Sequence, residues 1–269
     1  MTRLAVIGNP VAHSRSPEIH AAFALQAGID VRYVRILAPL DGFRLAVESF
    51  VRDGGVGFNV TVPFKHEAYE LCEEVSEAAR ISETVNTVSV KEGNVLSGDN
   101  TDGAGLVRDI RSNLGWKIAG KRILVLGAGG AVSGVLPTLL AEGPTAIDIY
   151  NRTHDKAVAL ASRFDSRVRA LDRHSLENAY DLIISGTSAG LSEDKIDLPA
   201  QIVGKNTRCY DMIYGADATA FNRWAKLAGA GEMSDGLGML VEQAAFAFQI
   251  WFDFKPDTRE VIRALRAAL

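Results

Sequence analysis

Residues 122–134 read RILVLGAGGAVSG. An apolar, β-branched run breaks into glycines and then resumes as a helix-forming segment. A buried strand, a tight turn and a helix start account for that order. Gly127 makes the turn, and Gly129 and Gly130 let main chain approach a bound group closely. A pyrophosphate then meets the amide groups at the helix N-terminus. The spacing is GxGGxxxG rather than GxGxxG, with Val132 at the place of the sixth-position glycine. Glycines alone make a weak motif; the strand–turn–helix setting is what makes this one a dinucleotide loop.

The next strand, AIDIY, ends in NRTHDK (residues 146–156). A site for NAD carries an acid at this tip to bond the ribose 2′-hydroxyl. Asn151, Arg152 and Thr153 stand there instead, and Asp148 lies inside the strand. An acid would repel a 2′-phosphate, whereas a guanidinium binds one with charge-assisted, bidentate bonds. Lys156 lies one helical turn further on. The tip therefore selects NADP (NADPH) over NAD.

Outward from this motif, the segments HDKAVALASRF, DLIIS, RCYDMI and ATAFNRWAKLAG continue as helix, strand, strand and helix. Upstream lies a second alternating series. RLAVIG, VRYVRIL and VGFNVTV are its strands. SPEIHAAFALQAG is a helix with Ser16 as N-cap, Pro17 at the first helical position and Gly28 as stop. TVNTVSVKEGNVLSGDN reads as a hairpin turning at EGN. GLGMLVEQAAFAFQIWF is a nearly all-apolar helix, and DTREVIRALRAAL an amphipathic one. Alternating strands and helices imply an α/β chain with two domains. The expected division is residues 1–101 plus about 238–269 in one domain, and 102–237 in the other.

The totals leave room for this. The chain has 269 residues, 47% hydrophobic and 23% charged, enough to bury two cores. The net charge is −4 and there is no dense Lys/Arg block, so no nucleic-acid partner is expected. No apolar run reaches the ~20 residues a bilayer span requires, and the N-terminal apolar run is too short for a signal peptide. Five histidines and two cysteines form no ligand pattern, so no metal site is expected. These features read as a cytoplasmic protein with reduced thiols.

GFNVTVPFKHEAYELCEE, residues 57–74, raises a different question. A helix starts near Pro63, and Lys65 falls in its first turn, where the dipole disfavours a cation by ~0.3–1 kcal/mol. Residues that break a local rule mark candidate functional sites. Asn86 in TVNTVSV is a milder case, because asparagine is depleted in strands. Ser14, Thr61 and Asp102 break no local rule by themselves.

Taken in order, GNPVAHSRSPEIH, NVTVPFK, VNT, GDNTDGAG, GAGGA, NRT, YDMIY and DGLGMLVEQA resemble the motifs of the shikimate dehydrogenases across nearly the whole chain. The resemblance implies an oxidoreductase that reduces 3-dehydroshikimate to shikimate with NADPH, on the pathway to chorismate and the aromatic amino acids. It also implies a substrate domain, a Rossmann-like NADP domain and an active site in the cleft between them. By motif, Lys65 and Asp102 match the catalytic pair. Ser14, Ser16, Thr61 and Tyr214 match residues around the substrate carboxylate, and Asn86 and Gln243 residues bonding ring hydroxyls. Gly127, Ala128, Gly129, Gly130 and Ala131 match the pyrophosphate loop, and Asn151, Arg152 and Thr153 the adenosine-phosphate loop. Thr187, Met212 and Gly236 match positions near the nicotinamide.

Three places depart from the pattern. Ser185 stands where asparagine is usual, Ala220 replaces the proline of a Thr-Pro pair, and AVSG lacks an arginine found in close relatives. The resemblance leaves a monomer or a homodimer open. The rival readings are a quinate/shikimate dehydrogenase using NAD, and a non-catalytic NADP-binding protein on the same fold.

Overall fold

The computed structural model describes residues 1–187 and 197–269. It divides into two compact units: Met1–Gly105 with Leu240–Leu265, and Leu106–Met239 with Arg266–Leu269. The sequence reading ends the first segment at residue 101; the units divide after Gly105 instead, so Asp102 falls in the first.

In the first unit, β1 (Thr2–Gly8), β2 (Val31–Leu37) and β3 (Gly57–Val60) alternate with α1 (Ser16–Ala27) and α2 (Phe43–Arg52). β1 is parallel to both β2 and β3. After α3 (Lys65–Leu71) come β4 (Glu74–Val75) and α4 (Glu77–Ser82), two short elements absent from the sequence reading. β5 (Thr87–Val90) and β6 (Leu96–Asp99) form the expected antiparallel hairpin, which turns at Glu92–Asn94. The six strands run in the order β2-β1-β3-β5-β6-β4. Ala5, Ile7, Phe43, Phe50, Phe58 and Phe64 are among the side chains of its core. α5 (Asp102–Arg108) leaves the hairpin, and the chain crosses into the second unit within it.

The second unit holds β7 (Arg122–Leu126), α6 (Gly130–Ala141), β8 (Ala146–Tyr150), α7 (His154–Ala161) and β9 (Val168–Leu171). They are followed by β10 (Leu182–Ser185), β11 (Arg208–Asp211), α8 (Ala220–Leu227) and β12 (Glu232–Ser234). All pairs are parallel, in the order β12-β11-β10-β7-β8-β9. That is the doubly wound order whose strands reverse direction of growth beside the first strand, where ligands bind at the carboxyl ends. α9 (Leu237–Phe252) and α10 (Arg259–Ala267) close the chain. Both cross between units, after Met239 and after Leu265.

Asp148 has the structural role its place inside β8 suggests. Fully buried, it accepts bonds from Arg169 at 2.7 and 2.9 Å, from Arg122 at 3.2 Å and from the Tyr180 hydroxyl at 2.9 Å. A buried carboxylate needs such partners, because leaving it unpaired in a low dielectric is expensive.

Candidate active site

Lys65 is the first residue of α3, and Phe64 before it offers no side-chain cap. A cation there works against the helix dipole. Its partner compensates: Nζ lies 2.5 Å from Oδ2 of Asp102, with 13% and 7% of the two side chains exposed. Asp102 opens α5, where an acid is favoured. Its other oxygen, Oδ1, accepts from Asn86 Nδ2 at 2.8 Å. Both carboxylate oxygens are therefore committed, and the carboxylate has one orientation.

Asn86 is the hub of this unit. It sits one residue before β5 rather than inside a strand, although its carbonyl still takes the Val60 N–H at 2.8 Å. The sequence reading put it within the strand. The Asn86 N–H likewise bonds the Asp99 carbonyl at 3.0 Å, so the main chain is held on both sides while the side chain makes its own bonds. Nδ2 also donates to Gln243 Oε1 at 3.3 Å, while Thr101 Oγ1 donates to Asn86 Oδ1 at 3.1 Å. Gln243 reaches this place because Gly105 has no side chain: a Cβ there would lie 2.7 Å from the Gln243 backbone nitrogen.

Behind Asn86 stands a layer absent from the sequence reading. Thr87 Oγ1 donates to Asn86 Oδ1 at 2.9 Å, and Asn59 Nδ2 donates to Thr87 Oγ1 at 3.0 Å. Asn59 in turn accepts from the Tyr33 hydroxyl at 2.7 Å. Burial pushes the Tyr33 phenol up, so it stays a donor. Asn59 carries the same signal as Asn86, an asparagine in an apolar strand.

Ser14 and Ser16 come together, their hydroxyls 3.1 Å apart. Ser16 is not the N-cap of α1. It is already helical; Arg15 occupies the cap position without a side-chain bond, and the Ser14 hydroxyl accepts the Ser16 N–H at 3.3 Å. Thr61 follows β3, with its N–H on the Ile7 carbonyl at 3.0 Å. Gly8 makes room for it, since a Cβ at Gly8 would fall 2.2 Å from the Thr61 methyl. Tyr214 belongs to the second unit.

In that unit, Gly127 has φ +108°, a backbone shape L side chains rarely adopt. Its N–H bonds the Tyr150 carbonyl at 2.8 Å. Gly129 and Gly130 are exposed at the start of the twelve-residue α6, no side chain caps that helix, and the space beside Gly129 is open. Orphan amides, positive helix end and open backbone together fit a pyrophosphate. Ala131 lies in the same first turn, with Ala128 just before it. At the tip of β8, Asn151 donates to the Thr153 carbonyl at 2.8 Å, fixing the loop that presents Arg152. Arg152 and Lys156 are exposed.

Met212 and Gly236 also come together. A Cβ at Gly236 would sit 2.2 Å from the Met212 carbonyl, and the Gly236 N–H bonds the Ile213 carbonyl at 3.0 Å. Met212 bonds the Ser185 carbonyl through its N–H at 2.8 Å, and Ser185 Oγ lies 3.5 Å from Thr187 Oγ1. The three positions assigned to the nicotinamide thus line the carboxyl ends of β10 and β11. Ala220 has lost the proline at the start of α8, but Thr219 still caps the helix by accepting from Asn222 N–H at 3.1 Å.

Comparison with known proteins decides the family. A model of the shikimate dehydrogenase substrate-binding domain matches residues 6–88, one of shikimate/quinate 5-dehydrogenase matches 109–195, and one of the shikimate 5′-dehydrogenase C-terminal domain matches 236–266. The shikimate dehydrogenase (NADP(+)) of Hahella chejuensis is 51% identical over 99% of both chains. This chain belongs to the shikimate dehydrogenase family. Among solved structures, an Ael1 enzyme from Pseudomonas putida superposes with a TM-score of 0.92 at 41% identity, covering 98% of each chain. The family enzyme of Thermus thermophilus, solved with NADP(H) and shikimate, gives 0.89 at 36% identity, covering 100% of both chains. Among the described residues no helix is long and apolar enough to cross a membrane.

Proposed function

We propose that this chain catalyses the reversible, NADPH-dependent reduction of 3-dehydroshikimate to shikimate, with Lys65 and Asp102 as its acid–base pair. The observation that carries the assignment of the pair is the 2.5 Å contact between them inside a polar network. Family membership supplies the substrate and the cofactor.

Bound NADPH supplies the hydride to the carbonyl carbon at C3. The carbonyl oxygen gathers negative charge as this happens and must gain a proton. A lysine ammonium is protonated at neutral pH and can polarise that oxygen, then donate. Asp102 holds the ammonium in place through Oδ2 and is itself held by Asn86. In the reverse direction the pair takes the proton from the C3 hydroxyl. Lys65 Nζ and Asp102 Oδ2 are 2.5 Å apart, so the proton transfer is assigned to the pair rather than to either residue alone.

The remaining residues bind and orient. Ser14, Ser16 and Thr61 offer hydroxyl donors to the substrate carboxylate, joined by Tyr214. Asn86 and Gln243 meet ring hydroxyls. Gly127 to Ala131 hold the pyrophosphate, and Asn151, Arg152, Thr153 and Lys156 hold the adenosine 2′-phosphate. Thr187, Met212 and Gly236 border the nicotinamide. Fixed donors of this sort contribute by being in place before the charge develops.

We also place the protein in the cytoplasm, as a monomer or homodimer. Its two cysteines are free thiols, which suits a reducing compartment. Formation of NADPH, followed by its near-ultraviolet absorbance with shikimate and NADP+, tests the activity; quinate and NAD+ are run beside them. No shikimate-dependent signal would sink the reading; a faster rate with quinate and NAD+ would replace it with the rival one.

A further inference from the structure

Asn100 lies in the turn between β6 and α5, two residues before Asp102, and is buried. Its side chain makes three bonds. Oδ1 accepts the Asp102 N–H at 3.1 Å. Nδ2 donates to the Thr84 carbonyl at 3.1 Å and to Thr84 Oγ1 at 2.8 Å. The Thr84 carbonyl belongs to the same peptide group as the Val85 N–H, and that N–H donates to the Lys65 carbonyl at 2.8 Å.

One main-chain amide is therefore gripped on both sides. Lys65 hangs from its N–H; Asp102 is tied to its carbonyl through the Asn100 amide. Peptide groups are planar and stiff, and so is a carboxamide. The path from one backbone to the other contains no rotatable side-chain bond beyond those of Asn100 itself. Serine or threonine at position 100 carries its donor and acceptor on one oxygen and cannot span both partners as Oδ1 and Nδ2 do, and an ionised aspartate lacks the donor.

We propose that Asn100 is the positioning residue of the Lys65–Asp102 pair, setting the separation of their backbones through the Thr84–Val85 peptide group. This inference rests on the reading of that pair as acid and base. Asn100 touches neither reacting atom. It acts by holding the α5 start at a fixed distance from the α3 start, and misplacement of reacting groups by ~1 Å can cost ~10²-fold in rate.

The test uses the purified full chain, with Asn100→Ala and the isosteric Thr84→Val, which keeps the carbonyl but deletes the Oγ1 acceptor. Steady-state rates are measured across pH, and melting temperatures alongside. Asn100→Ala should lower kcat by roughly 10–100-fold while KM for shikimate moves by less than about threefold. The pH profile of kcat should also move, because changing the backbone spacing changes the distance between the Lys65 ammonium and the Asp102 carboxylate. Thr84→Val should shift both in the same direction by less. A folded Asn100→Ala with kcat within about twofold of the parent overturns the inference. So does a loss of melting temperature with an unmoved pH profile, which is what a merely structural residue would give. If Asn100→Ala does not fold, Asn100→Ser, whose single hydroxyl cannot bridge the Thr84 carbonyl and the Asp102 N–H, is measured in its place and the same outcomes decide. Lys65→Ala in the same assay separates the two claims. If it keeps its rate, the pair was misassigned; if it loses its rate while Asn100→Ala does not, only the positioning role falls.

Discussion

Asp102 accepts Lys65 Nζ on one carboxylate oxygen and Asn86 Nδ2 on the other, at 2.5 and 2.8 Å. The cation and the amide thus compete for nothing, and each fixes the carboxylate against the other. Lys65→Ala and Asp102→Asn should each lower kcat by ~10²–10⁴-fold. Residues that act as a unit are not additive, so the double variant should be no slower than the slower single one. Single-turnover rates give the comparison. A double variant slowed by the product of the two single effects would mean two independent roles.

The serine pair predicts a different signature. Ser14 and Ser16 would meet a carboxylate that does not change charge during reaction, so their contribution is equal in ground and transition states. Ser14→Ala or Ser16→Ala should raise KM for shikimate and leave kcat near the parent value. A fall in kcat at unchanged KM would place them at the chemistry instead.

Arg152 should divide the two cofactors. A hydrogen bond to a charged group contributes ~1.5–3 kcal/mol, so Arg152→Ala should weaken NADPH binding by about 10–100-fold. NADH has no 2′-phosphate to lose, and its dissociation constant should stay put. Fluorescence titration of both cofactors reads the ratio. Equal weakening of the two would show that Arg152 grips something they share.

His20 makes stability depend on acid. Its ring is fully buried, stacked 4.4 Å from Tyr33 and tilted by 44° against Trp251 at 5.4 Å. Burial pushes the imidazole down to about 3, against a smaller upward pull from Asn59, although neither ring nitrogen reaches a hydrogen bond. The unfolded chain takes up this proton near pH 6.5. Between pH 6.5 and about 3 the unfolded state therefore binds more protons, and stability falls as pH drops. The slope from this one residue approaches ~1.4 kcal/mol per pH unit below about 6.5. His20→Leu should flatten denaturant-measured stability over that window. An unchanged slope would remove His20 from the acid response.

Long-range geometry divides what the sequence discloses from what it hides. The dinucleotide loop and the Arg152 tip are local: strand, turn, helix and the next strand end follow one another without interruption between residues 122 and 156, and the strand order agrees with them. Lys65 announces itself by opposing a helix dipole. Gly8 and Gly105, in contrast, are ordinary until Thr61 and Gln243 fold against them. Asn100 looks like any polar turn residue, because its partner Thr84 is sixteen positions away. β4 and β12 are two and three residues long, too short for periodicity to mark, and β9 carries an arginine in a four-residue run. Ser16 misled for a related reason. A serine before a proline reads as a cap, yet α1 has already begun at Ser16, and its N–H is taken by the neighbouring hydroxyl of Ser14.

The Thr84–Val85 amide carries a consequence for how this segment tolerates change. A bond made by main chain survives most exchanges of side chain, with proline at position 85 the exception because it removes the N–H. Register is another matter. Adding or deleting one residue between α4 and β5 would slide a different peptide group under Lys65 and Asn100 and turn its carbonyl elsewhere. Position 85 should accept a conservative exchange such as Val85→Ile far more readily than the stretch from Glu83 to Asn86 accepts any new length.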